Sequence, residues 1–170
     1  MDIKTLAKLF AISGAAMCLG AIPGLADADH CRHVGGGILT NFLPQTNPPI
    51  DCAASPYNLC TDGTATGDLR GAVGVAVRKE NGNVLTNHHH WVTESGDTIT
   101  FEDADLTLLA NVNGQYLGNY RSGITITGGT GGFEGASGNL NSVFGAIDFN
   151  KGQLTLRYEG TVCFEHVPPS

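Results

Sequence analysis

Short runs of alternating polar and apolar residues, each ended by a glycine- or asparagine-rich turn, recur along this 170-residue chain. Candidate strands span 37–43, 69–78, 84–93, 98–109, 116–127, 139–148 and 153–164. Between them stand Asn81-Gly82, Ser95-Gly96-Asp97, Asn113-Gly114 and Lys151-Gly152. Asn-Gly supplies the positive φ that a tight hairpin turn requires. After the first segment no stretch carries a helical period, so the chain reads as all-β. Its short connections favour antiparallel neighbours.

The alternation assigns faces but does not say which is inner. Leu154, Leu156, Tyr158, Gly160 and Val162 share one face of the last strand, and Thr155, Arg157, Glu159 and Thr161 share the other. Val73, Val75 and Val77 oppose Arg70, Ala72, Gly74 and Ala76. Small residues on one face suggest a curved sheet with close inner walls. Seven or eight such strands close into a barrel or split into a sandwich, and the alternation fits either.

Residues 1–28 read as a secretory signal peptide, which predicts a secreted or periplasmic protein. Lys4 and Lys8 precede the apolar stretch 9–22, and Ala26-Asp27-Ala28 forms a small-x-small cleavage site before Asp29. Cleavage removes two basic and two acidic residues, so the charge stays at −7. An acidic surface repels phosphate backbones and disfavours nucleic acid. No later apolar run is long enough to span a bilayer.

Four cysteines remain: Cys31, Cys52, Cys60 and Cys163. An even count in an exported chain suggests two disulfides. Three pairings are possible, and Cys52–Cys60 as a local staple with Cys31–Cys163 tying the ends is the favoured one. A Cys₄ metal site is a poorer fit, because close C-x-x-C pairs are missing. Residues 44–67 hold Pro, Asn, Gly and two cysteines and read as a disulfide-pinned surface loop. Residues 29–170 form one domain.

The run Ile124-Thr125-Ile126-Thr127-Gly128-Gly129-Thr130-Gly131-Gly132-Phe133-Glu134-Gly135-Ala136-Ser137-Gly138 resembles the glycine-rich turn of the allene oxide cyclase and dirigent families. Gly67-Asp68-Leu69-Arg70-Gly71 and Leu156-Arg157-Tyr158-Glu159-Gly160-Thr161-Val162-Cys163-Phe164 are similar to segments of bacterial secreted relatives of that barrel. The resemblance implies a closed, eight-stranded antiparallel barrel of calycin type that holds a small apolar molecule. It also implies a homo-oligomer, a trimer. Cyclases of the family carry a catalytic Glu on their first strand, whereas residues 33–42 contain no acidic residue. A phosphate-binding loop is excluded, since a strand rather than a helix follows these glycines.

His88-His89-His90-Trp91 is the most distinctive polar cluster. On a strand His88 and His90 share a face at about 6–7 Å, a spacing that suits two imidazoles on one metal ion. With Glu94 they form a candidate metal set. Gly82, His88-x-His90 and Glu94 also match the first half of the cupin motif, although Phe101 stands at its closing glycine. A third histidine would have to be His30, His33 or His166. No cofactor is expected otherwise; the alternative is zinc or another divalent transition metal. The opposite face holds Asn87, His89 and Trp91. His89 is a candidate acid or base, and Trp91, Phe133 and Tyr158 are candidate ligand walls. Arg157 and Glu159 share a face; if interior they would polarise a substrate carbonyl, and if exterior they are a surface pair. The leading expectation is a small-molecule-binding barrel that guides cyclisation or isomerisation. The rivals are a metalloprotein and a filled structural barrel.

Overall fold

The computed structural model describes residues 30–44, 52 and 54–165. The expected signal peptide and His166 lie outside these residues. Among the described residues no helix is long and apolar enough to cross a membrane. Ten strands follow one another: β1 (Cys31–Phe42), β2 (Cys60–Ala65), β3 (Gly71–Asn81), β4 (Val84–Thr93), β5 (Thr98–Phe101), β6 (Ala104–Val112), β7 (Gln115–Asn119), β8 (Ile124–Gly129), β9 (Ser137–Asp148) and β10 (Gln153–Cys163).

Every pairing is antiparallel, and the sheet closes on itself. The first half of β4 pairs with β6 and its second half with β5. In the same way β9 pairs first with β8 and then with β7. So β5 and β6 fill one strand position, interrupted at Glu102-Asp103, and β7 and β8 fill another. Eight positions result, closed by β10 against β1 over Cys31↔Cys163 to Asn41↔Gln153. Closure leaves no free edge, and it decides for the barrel over the sandwich.

One expected loop is partly a strand. Residues 60–65, read as part of the loop 44–67, are β2 and bridge β1 and β3. Their sequence, Cys-Thr-Asp-Gly-Thr-Ala, has no large apolar side chain and hence no hydrophobic alternation. Unpaired edges on β1 and β3 recruit it nonetheless. The small residues of β3 are also placed differently from expectation. Val73, Val75 and Val77 face the interior, while Ala72 is exposed on the outside. Bulk, not smallness, lines this wall.

Leu154, Leu156, Tyr158 and Val162 of β10 point inward as one face. A register shift opposite Gly160 lets both Leu140 and Val143 of β9 enter the core, although they are an odd number of residues apart. One end of the barrel is plugged. Phe133 is buried there against Phe164, ring centres 5.5 Å apart, at the 3₁₀ turn Gly131–Phe133. Gly131 sits at φ 56° with the Asp97 carboxylate where a Cβ would go, so only glycine fits. The turn after β2 completes the plug. Leu69 is 1% exposed; its N–H donates to Tyr158 Oη at 2.9 Å and its carbonyl accepts from Trp91 Nε1 at 2.7 Å.

Outside, Leu39, Thr155, Ala146, Leu117 and Leu109 form one cross-strand row over β1, β10, β9, β7 and β6. Phe144 stands in the next row and is 51% exposed.

The disulfides are Cys31–Cys163 and Cys52–Cys60, the favoured pairing, and two disulfides fit an oxidising compartment. They close loops of very different length, with separations of 132 and 8 residues. The chain-entropy treatment assigns about 5 kcal/mol to the long loop and about 2.5 kcal/mol to the short one. Replacing Cys31 and Cys163 by Ser should therefore lower the denaturant-derived stability about twice as much as replacing Cys52 and Cys60. Equal losses in urea titrations of the two variants contradict this ranking.

Candidate functional site

Alternation along β4 sends Leu85, Asn87, His89 and Trp91 inward and His88 and His90 outward. Inside, Asn87 is 2% exposed, and its Nδ2 donates to Tyr120 Oη at 2.8 Å. His89 Nε2 lies 3.0 Å from the same oxygen. Asn87 donates to this oxygen, and the arrangement that also gives the Tyr120 hydroxyl hydrogen an acceptor directs it to His89 Nε2. The tautomer is then Nδ1–H. Burial, then the neighbouring His88, lowers the His89 pKa to about 4, so the ring is neutral above that pH. Burial raises the Tyr120 pKa far above its ordinary value.

This relay leaves polar atoms unpaired. Among the described residues, the buried side-chain atoms without a hydrogen-bond partner are His89 Nδ1, Asn87 Oδ1 and Thr61 Oγ1. All three residues belong to the barrel lining. Each buried unpaired group costs about 1–3 kcal/mol, and three on one wall call for an explanation. The surroundings are apolar and aromatic. Phe101 lies 6.0 Å from His89 and 5.9 Å from Trp91, and Trp91 lies 5.5 Å from Tyr158, ring centre to ring centre.

The space beside the relay is small. The cavity between His89, Trp91, Tyr120 and Leu156 holds about 30 Å³, and a second between Thr61, Asn87, Tyr120 and Phe149 about 20 Å³. The end opposite the plug is wider. A groove of about 390 Å³ lies there between Leu59, Leu85, Leu108, Tyr116 and Phe149. Leu59, Leu85 and Phe149 border both this groove and the second cavity, and Val75, Tyr120 and Leu154 border both cavities. Groove, Thr61 and Asn87, Tyr120 and His89 thus follow one another into the barrel. Phe149, stacked on Phe42 and edge-on to Tyr116 at 5.4 Å each, stands at the entrance.

The sequence-predicted residues divide between the two sides of the wall. His89, Trp91 and Tyr158 face inward together, and Phe133 plugs the far end rather than lining the relay. Arg157 and Glu159 are exposed on the outer face of β10, which removes them from any interior site, because alternation gives the inner face to Leu156 and Tyr158. No ion pair joins them among the described residues. His88 and His90 are adjacent outside, but Glu94 turns away to Arg70, 4.0 Å off. No group of three metal-ligating side chains forms among the described residues. Sequence reasoning missed Thr61 and Tyr120 altogether. Asn87 was placed on the right face and given no role. Alternation with His89 is the signal for Asn87, whereas Tyr120 sits in the break between β7 and β8, where periodicity lapses.

The strand pairing of this chain defines a closed eight-position antiparallel barrel with a buried polar relay. No protein-family model and no curated protein matches the sequence. Among solved structures, the pterocarpan synthase dirigent protein GePTS1 is similar, with a TM-score of 0.46 and 15% identity over 82% of this chain and 87% of that one.

The relay has a pH signature. In the unfolded chain a histidine binds its proton near its ordinary pKa of 6.5, but folded His89 does so only near 4. Between these values the unfolded state holds more protons, so stability falls as pH falls. The slope is about 1.4 kcal/mol per pH unit, about 3 kcal/mol in all. Subtracting the pH–stability curve of His89→Gln from that of the wild type should isolate this fall between pH 6.5 and 4. A flat difference shows that His89 is not held neutral by burial.

Proposed function

We propose that the chain is an exported barrel that binds a small, largely apolar molecule carrying oxygen functions. The observation behind this reading is the set of unpaired polar atoms on the apolar inner wall: a donor at His89 Nδ1 and acceptor capacity at Asn87 Oδ1 and Thr61 Oγ1. A ligand carbonyl fits the donor, and a hydroxyl fits the acceptors. The apolar bulk enters from the groove past Phe149, and Trp91 and Phe101 form the deep wall. In this reading the glycine-rich turn marks a distant relationship to the allene oxide cyclase and dirigent barrels. The compatible activity is ring closure or isomerisation steered by cavity shape, with neutral His89 moving a proton.

A filled, structural barrel is the second reading, and the small central cavity of about 30 Å³ favours it; ligand sites usually hold about 300 Å³ or more. Native mass spectrometry of the untagged chain purified from its source separates the two. Binding predicts an organic adduct of a few hundred daltons. It also predicts that Thr61→Val, which removes an unpaired hydroxyl and none of the hydrogen bonds described here, weakens retention of the adduct while stability stays within about 1 kcal/mol. A bare mass, with Thr61→Val as stable as the wild type or more so, supports the structural barrel instead.

The partner implied on the outside is a second copy of the chain. Exposed Leu39 and Leu117, in one row with half-buried Leu109 and beside exposed Phe144, support self-association. Sedimentation should show an oligomer, a trimer, that Phe144→Glu converts to monomer. A wild-type monomer at micromolar concentration contradicts this.

A further inference from the structure

The outer face of β4 carries a second constellation, separate from the interior relay. His88 and His90 stand side by side with ring centres 4.7 Å apart and planes at 81°. His88 Nδ1–H donates to Asp103 Oδ1 at 2.7 Å. Asp103 lies in the interruption between β5 and β6, where the chain leaves the ladder and brings a carboxylate over the strand. From these contacts we propose that His88 and His90 form a surface site for one divalent transition-metal ion of the copper–zinc class, with Asp103 as the positioning residue.

Two features carry this assignment. First, the separation fits a chelate. With nitrogen–metal bonds of about 2.0–2.1 Å, two imidazoles bound to one ion at angles between about 90° and 110° have ring centres about 4.5–5.2 Å apart. The observed 4.7 Å lies in that window. Second, the proton is already placed. Donation from His88 Nδ1 to a carboxylate fixes the tautomer that leaves Nε2 with a lone pair, the arrangement that metal-ligating histidines usually adopt.

Imidazole pairs suit copper and zinc better than magnesium or calcium, and copper binds most tightly in the divalent series. Two protein ligands leave the other positions to water or to a ligand from another molecule. Glu94, the carboxylate that spacing suggested, is not part of the site, because it sits beside Arg70.

The test is isothermal titration of the mature chain, without a histidine tag, with Cu(II) and with Zn(II). We expect one ion per chain at this site and a loss of at least about tenfold in affinity in each of His88→Ala and His90→Ala. Asp103→Asn should weaken binding by about 10- to 100-fold, and Glu94→Ala should leave it unchanged. The copper complex of the wild type should show coupling to two imidazole nitrogens by electron paramagnetic resonance, reduced to one in either single histidine variant. All these positions face outward, so circular dichroism should be the same throughout. Absence of binding to the wild type overturns the proposal, as does equal affinity in the His88→Ala/His90→Ala double variant. Two nitrogens retained in that double variant assign the ion to other residues and overturn it as well.

Discussion

Pairing of β10 with β1 is the contact on which the rest of the molecule depends. It joins the two ends of the described sheet over eleven residue pairs, from Cys31↔Cys163 to Asn41↔Gln153. Without it the chain would be an open, strongly twisted sheet with two bare edges. With it every strand acquires an inside and an outside, and each alternating side chain is assigned to one or the other. The covalent tie between Cys31 and Cys163 sits at the first rung of this pairing, so the staple and the ladder restrain the same two strands.

Closure also limits interior space. Large side chains from all around the wall, among them Trp91, Phe101, Leu140, Val143 and Tyr158, converge on one centre, and little room is left. A barrel selected only for packing would place apolar groups at Thr61, Asn87 and His89 as well. Polar groups there are costly, and Tyr120 satisfies only part of their capacity. The cost falls along the line from the wide groove to the deep wall. That coincidence of unpaired polarity with the one wide approach among the described cavities gives the binding reading its weight against the small central volume.

The histidine run shows how one tripeptide serves two environments. Neighbouring residues on a strand face opposite ways. His89 is therefore neutral, turned inward and engaged with Tyr120, while His88 and His90 meet solvent, Asp103 and each other. The two sides share a backbone and little else. The wall of the barrel separates an apolar interior, where a proton is kept off an imidazole by desolvation, from an exterior where a carboxylate orients one.

Much of the architecture was legible in the residues. Alternation located seven of the eight strand positions and sorted β10 and β4 into faces, and cysteine separation pointed to the observed pairing. The motif 124–138 announced a turn that only glycine could make. β2 was hidden because Cys60–Ala65 carries no apolar period; its strand exists through its neighbours' unpaired edges. Arg157 and Glu159 looked as available as His89 because alternation alone has no sign. Which face is inner is a property of the closed sheet and not of any one strand. The local pattern therefore determined seven of the eight strand positions and their turns by itself, and left three cysteine pairings open. The inner face, the meeting of Tyr120 with Asn87 and His89 across more than thirty residues, and the carboxylate set against His88 were decided only by the tertiary structure. Those contacts depend on long-range register, which short-range periodicity cannot encode.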